Sequence, residues 1–496
     1  MKTRVVLAIA MVATAMTTPR WTAVTRGASA PVPATVPPQE PQSAESPIDA
    51  RRRADFEAMR TFRPGYPFWQ HVFTLPDHSI AYGSGVSGRL LAIFPDNGDW
   101  KRNARWADPR LTYILDNQQL DRKLDERRDQ VALLLERAVG PVLHNSTRGD
   151  ALLPNARRYG NLMAEWGAIY ERFGVPADIG LAQVILESGL SPTRRSEANA
   201  IGFCQWLQKN WKRLNYLAQT IIEARNQTSQ APYCAAYLSV LATKYGSFIP
   251  ALSEHNAGGT NVGRMLINGE QLGAESVQSR YLLGSKLAHD VRVVTGKKYE
   301  DLYESYGPRS YLYAEMVFGN TFAVRRLIAS TRQVPIYAMR TPRVISLAEI
   351  TDRTHLSPDD VRRFNPALVD RVPADSTLYL PSYVSDFGRD VAFWRHAPSP
   401  AYVAVLDDFI RLDPGPERWD NPAFARVLTD FRRRFSATNT EEGHVMATVL
   451  GYAMDQASSQ RALLAKFRRS DQVQRLIDRG VLDLNAVRAV RARALP

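Results

Sequence analysis

The chain of 496 residues is 45% apolar and carries 63 Lys and Arg against 50 Asp and Glu, a formal net charge of +13. That length supports roughly two to four domains. Its 2 cysteines exclude a disulfide-framework scaffold, and its 8 histidines lie scattered without metal-ligand spacing, so neither a metal nor a cofactor is expected. The basic balance suits an anionic envelope or polymer, and an arginine-rich genome explains it equally well. Nucleic acid is not expected, because zinc-finger spacing, RNA-recognition signatures and an aromatic-rich basic stripe are all missing.

In chain order, Lys2 and Arg4 precede an apolar stretch from Val5 to Met16, and the small residues Ala28-Ser29-Ala30 offer a cleavage site. Residues 1–30 therefore read as an export signal, and the apolar stretch within them is too short for a comfortable membrane span. No later segment is long and apolar enough to cross a bilayer, so the mature chain is expected in the periplasm or cell envelope without an integral span. Residues 31–50, rich in Pro, Ser and Ala, read as a disordered linker. The flanking region 51–154 opens on a charged helical stretch and the aromatic patch Tyr66-Pro67-Phe68-Trp69. Gly83, Gly85 and Gly88 match the three-glycine dinucleotide pattern. That pattern needs a helix next, whereas Arg89 to Phe94 reads as a strand, so a glycine-turned hairpin is expected.

From 109 to 296 apolar residues recur at helical spacing, for example over Leu120–Ala138, Ala156–Phe173, Pro176–Ser188, Tyr233–Tyr245 and Gln278–Val294. The stripe Leu238, Leu241, Tyr245 reads as core packing. The fold class is mainly α. Residues 297–342 read as a helical connector and 385–496 as a helical, Arg-rich C-terminal region. Between them, 343–384 carries its own punctuation. Val344-Ile345 forms a short strand, Ser346 and Ser357 each cap a helix, Asn365-Pro366 ends the second helix, and Leu378–Pro381 is a closing strand. Cys204 and Cys234 suit either one bridge or two buried thiols.

Glu187 is the chemically informative residue. It ends the apolar helix that starts at Pro176, and Gly189 suits a left-handed C-cap. A carboxylate in the last turn meets the negative end of the helix dipole. Partial burial adds to that penalty, and both effects raise its pKa toward what a general acid needs. A solvated helix-end glutamate is the competing reading of the local sequence.

Further signals follow in order: Gly202-Phe203-Cys204-Gln205, then Glu254-His255-Asn256-Ala257-Gly258, then Tyr281 near the start of the last helix of the region. With Glu187-Ser188-Gly189, this series resembles the catalytic domain of lytic transglycosylases of the goose-lysozyme fold, in particular the branch like membrane-bound murein transglycosylase D. The resemblance covers about 155–296. It implies a lysozyme-like α-helical domain that cleaves peptidoglycan between N-acetylmuramic acid and N-acetylglucosamine, giving 1,6-anhydro products. It implies Glu187 as acid and then base, with Ser188, Gln205, His255, Asn256 and Tyr281 binding sugar or orienting Glu187, and Tyr281 as a hydrogen-bond donor to it. His255 stands where the family has Tyr, Glu254 where a small residue is usual, and Cys204 where a bulky apolar residue is usual. The family's Asp-x-Arg stretch persists as Glu223-Ala224-Arg225. A water-using muramidase with His255 or Glu254 as second acid–base group, and a non-catalytic glycan binder, are the alternatives.

The 343–384 segment resembles LysM, a βααβ peptidoglycan-binding module, through Phe364-Asn365-Pro366-Ala367-Leu368 and Leu378-Tyr379-Leu380-Pro381. It departs before the first helix, where Gly-Asp is missing, and at Pro373-Ala374-Asp375-Ser376. A packing role against the catalytic region is the other reading.

Overall fold

The computed structural model of the chain describes residues 45–213, 225–295, 310–384, 392–412 and 422–483, together with Gly415, Asn485 and Arg488. The signal segment, the linker up to 44, Glu223 and Ala224, and the connector residues 296–309 lie outside the described residues.

The first described helix, α1 (Pro47–Phe62), starts inside the stretch read as linker, because Ser46 accepts from the Asp49 amide and Pro47 occupies the first turn. The short α2 (Trp69–Thr74) follows from the aromatic patch. Next come β1 (Ser79–Ser84), β2 (Leu90–Pro95), α3 (Trp100–Asn103), β3 (Arg105–Trp106), α4 (Leu124–Val139) and β4 (Val142–Ser146). The strands form one sheet in the order β3-β2-β1-β4. The three glycines thus lie at a hairpin, as the sequence indicates, with an antiparallel β1–β2 pair. Gly88 sits at φ +69°, and a Cβ there would meet the Phe68 amide nitrogen at 2.5 Å. Tyr82, Phe94 and Trp100 pack under this sheet against Val131 and Leu135 of α4.

Among the described residues the region read as helical is mainly so, interrupted by strand β4, by 3-10 turns and by one short hairpin. Its helices are α5 (Leu153–Tyr159), α6 (Met163–Arg172), α7 (Ala177–Ser188), α8 (Gln208–Arg213), α9 (Gln227–Tyr245), α10 (Phe248–Ala257), α11 (Gly259–Gln271) and α12 (Val277–Thr295). A 3-10 turn at Gly160–Leu162 divides what the sequence presents as one helix over 156–173. Between α7 and α8 the short β5 (Ala200–Ile201) and β6 (Trp206–Leu207) pair as a hairpin.

Helix α9 is the axis of the molecule. Every one of its residues is buried, so the expected one-sided stripe Leu238, Leu241, Tyr245 understates it. Its polar side chains tolerate burial because each of several has a partner. Thr228 accepts from the Trp166 indole, Ser229 bonds the Tyr379 hydroxyl, Gln230 accepts from the Phe203 amide, and Lys244 pairs with Glu254. Around it, Trp166 and Phe203 meet edge to face at 5.0 Å, each ring contributing roughly 2–3 kcal/mol through burial.

Helix α13 (Tyr313–Ser330) packs on α7 and α10 and shares their core. The connector is therefore part of the helical body, and it is not wholly helical, because Ile336–Arg340 forms strand β7. In the following module the two caps stand as read, with Ser346 on α14 (Leu347–Thr354) and Ser357 on α15 (Pro358–Phe364). The strands differ from a simple βααβ unit. After β8 (Ile345–Ser346) come β9 (Arg371–Val372) and β10 (Thr377–Pro381); β8 pairs with β9, while β10 pairs with β7 from before the module. The module has its own small core of Ile345, Ile350, Val361, Leu378 and Leu380. The C-terminal region is helical, comprising α16 (Pro400–Ile410), α17 (Pro422–Ala437), α18 (Glu441–Arg468) and α19 (Gln472–Asp478), with α18 laid against α9 and α11.

The fold is thus mainly α, as expected. No described helix is long and apolar enough to cross a membrane, and no group of His, Cys, Asp and Glu among the described residues is arranged to hold a metal ion.

Candidate functional site

Glu187 lies in the last turn of α7, which ends on Gly189 in the left-handed conformation at φ +58°. A Cβ at Gly189 would stand 2.4 Å from the Ala151 carbonyl oxygen, so both the backbone angle and the close approach require glycine. The helix end fixes where the Glu187 carboxyl points. Its side chain is only 15% exposed.

Among the described residues, two groups touch the carboxyl. The Tyr313 hydroxyl, from the first turn of α13, donates to Oε1. His255 Nε2, from the last turns of α10, lies 3.6 Å from the same oxygen. Burial pushes the Glu187 carboxyl up to about 7, against the opposing pull of the Tyr313 hydroxyl. Burial also pushes His255 down to about 4, against its bond to the Cys204 carbonyl. Between those values the acid is protonated and the imidazole is neutral, so the pair is a contact of two uncharged groups rather than an ion pair. A carbonyl oxygen can only accept, so the 3.0 Å contact from His255 Nε2 to the Cys204 oxygen puts the proton on Nε2. Tyr313 and His255 both approach Oε1, which leaves Oε2 as the oxygen of the carboxyl without a contact from either.

The loop opposite Glu187 is tied down at several points. Cys204 and Cys234 are bridged, joining the loop to α9. Ser188 Oγ donates to the Phe203 carbonyl at 2.9 Å, and the Phe203 amide donates to Gln230 at 2.5 Å. Gln205, at φ +52°, donates from Nε2 to the carbonyls of Arg194 and Gly202. A wall of rings backs His255: Tyr237 at 6.0 Å, then Trp206 and, from α18, Tyr452, which meet Tyr237 at 5.1 and 5.6 Å.

The structure therefore brings together Glu187, His255 and the 202–205 loop, as the sequence motifs suggest. Other expectations change. Ser188 is buried and spends its hydroxyl on Val184 and Phe203, so it joins the helix end to the loop instead of facing a ligand. Tyr281 is fully buried in α12, and the tyrosine bonded to Glu187 is Tyr313. Asn256 is exposed at the end of α10, a placement that does not conflict with a ligand role. Glu254 offers no second acid to the site, since it is buried and held by Lys244 at 2.9 Å and by the Tyr245 hydroxyl. The missed residues are Tyr313 and Tyr452. The only sequence signal for Tyr313 was an aromatic helix start, Tyr311-Leu312-Tyr313, within the stretch read as connector.

No family model and no curated protein matches this chain.

Proposed function

We propose that the chain is an exported peptidoglycan lytic transglycosylase, with a lysozyme-like catalytic region and a divergent LysM-like module. One observation carries this reading: the buried carboxyl of Glu187, pushed up to about 7, is touched among the described residues by Tyr313 and a neutral His255, neither of them a carboxylate. Most glycosidases divide acid and nucleophile or base between two carboxyl groups. An intramolecular attack needs only one.

In that reaction Glu187 gives its proton to the glycosidic oxygen as the bond to C1 of N-acetylmuramic acid breaks, and the N-acetylglucosamine leaves as an alcohol. The Glu187 carboxylate then takes the proton of the muramoyl 6-hydroxyl, whose oxygen bonds to C1. The product is a 1,6-anhydro sugar, no water is consumed, and Glu187 ends protonated again. The Tyr313 hydroxyl stabilises the carboxylate between the two steps. Neutral His255, fixed by the Cys204 carbonyl and the ring wall, holds the position beside Oε1 without contributing charge.

Mass spectrometry of the products released from purified sacculi tests this. Wild type should release muropeptides lighter by one water than reducing-end products, and Glu187→Gln should release none. Reducing-end products would transfer the assignment to a muramidase. Unchanged release by Glu187→Gln would remove Glu187 from the chemistry.

A further inference from the structure

Away from Glu187, a cavity of about 740 Å³ opens where β7 and the module's β10 face α9 and the helices α17 and α18. Its floor includes Tyr233 and Tyr379, both buried, and the half-buried Trp394, whose indole is fixed by a 2.9 Å bond to Glu165. Its rim carries Arg340, Asp375, Arg432, Asn439, Glu441 and His444. Among the described residues, none of these six side chains has a hydrogen bond or a close ion pair within the protein, and the Arg340 guanidinium acts on the Glu441 carboxyl only at longer range. Elsewhere on the surface Arg and acid usually find each other, as in Arg343 with Glu349 or Arg434 with Asp408. Glu441 keeps open surface, yet the protein crowded around it and then its neighbour Glu442 push its carboxyl up to about 7, so at neutral pH it donates as well as accepts.

An apolar, ring-lined floor under convergent polar groups of this size is the usual build of a ligand site. The rim mixes two guanidiniums with two carboxyl groups, which matches a ligand that itself carries both signs. Guanidinium forks suit carboxylates. Asp375 and Glu441 suit an ammonium group. A neutral glycan would need neither.

We infer that this cavity binds a short peptide bearing free carboxylate and amino groups, the stem peptide of the proposed polymer. This rests on the peptidoglycan reading for the identity of the peptide. The location is mechanically apt, because α9 faces the cavity through Thr228, Ser229 and Tyr233 and holds the catalytic loop through Gln230 and Cys234. A peptide seated here would touch the helix that holds the 203–204 loop.

Calorimetric titration of the full wild-type chain with a free stem tetrapeptide, containing one diaminopimelate amine, tests the site directly. Saturable binding is expected, weakened about tenfold or more by Arg340→Gln with Arg432→Gln, and weakened also by Glu441→Gln alone. The same variants should raise KM on sacculi while leaving cleavage of peptide-free glycan strands unchanged. Absence of saturable peptide binding, binding insensitive to these substitutions, or displacement by a plain chitin oligosaccharide would each overturn the assignment. Peptide binding requires no bond cleavage, so a failure to form anhydro products would count against the proposed activity alone.

Discussion

Tyr313 donates its hydroxyl to Glu187 from 126 residues further along the chain, joining the start of α13 to the end of α7. The bond favours the carboxylate and so opposes the larger effect of burial. Tyr313→Phe should therefore raise the Glu187 pKa above about 7. If the proposed reaction holds, two consequences follow in a pH profile of anhydro-product formation: the descending limb moves to higher pH, and the maximal rate drops by about tenfold or more, because the carboxylate that the proposal forms midway loses its donor. A lower rate with an unmoved limb would mean that Tyr313 only packs.

Glu187 should also cost the fold stability at neutral pH. Its carboxyl titrates near 4.5 when unfolded and about 7 when folded. Below pH 4.5 both states are protonated and the cost vanishes; it grows as pH rises between the two values, because the unfolded chain ionises first, and it levels off above about 7. That shift corresponds to roughly 3 kcal/mol at its full extent. Glu187→Gln should accordingly stabilise the protein at pH 8 and leave it nearly unchanged at pH 4. Denaturant unfolding at the two pH values checks the difference.

The position of Glu187 was legible because the rules that set it act within a few residues: an apolar run, an acid, and a glycine able to adopt a left-handed cap. The caps at Ser346 and Ser357 were legible for the same reason. Tyr313 was not, since nothing local distinguishes a tyrosine that packs from one that meets a carboxyl far along the chain. Strand β7 was hidden by the helical Arg-rich stretch before it, although Pro335 and the run Ile336-Tyr337-Ala338 carried a punctuation signal. In α9 the sequence marks only the apolar stripe Leu238, Leu241, Tyr245 as core, and its Thr, Ser, Gln and Lys side chains are buried as well. Their burial depends on partners from α6, the 203 loop, β10 and α10, which no periodicity within α9 encodes.

The Cys204–Cys234 bridge closes a loop with a sequence separation of 30. Replacing both cysteines with alanine should cost about 3–4 kcal/mol by the loop-entropy account. The catalytic effect should exceed what the stability loss explains, because the Cys204 carbonyl is the acceptor that fixes His255. Activity measured well below the melting transition separates the two effects.

Glu254 is a structural acid in this molecule. It lies buried with Lys244 at 2.9 Å and accepts from Tyr245. Glu254→Ala would leave the Lys244 ammonium buried without its counter-charge, at a cost of roughly 3–5 kcal/mol. Glu254→Ala is expected to lower the unfolding midpoint strongly while leaving the pH profile of the proposed activity in place in the surviving folded protein. Altered pH dependence with normal stability would instead restore Glu254 as an acid–base group.

His255 stands where a titrating imidazole would ordinarily impose a limb near pH 6.5, yet burial pushes it down to about 4. Stability from neutral His255 is then lost only in acid: the folded pKa lies below the unfolded one, so protonation is penalised in the folded state and the cost grows as pH falls from about 6.5 to about 4. Activity should show one limb, descending near 7 as Glu187 ionises, and no ascending limb between pH 5 and 7. His255→Gln keeps an N–H for the Cys204 carbonyl and should retain most activity; His255→Ala removes it and should lose about tenfold or more. An ascending limb near 6.5 that disappears in both variants would identify His255 as a base, and with it a reaction in which water, not the sugar's own hydroxyl, is the nucleophile.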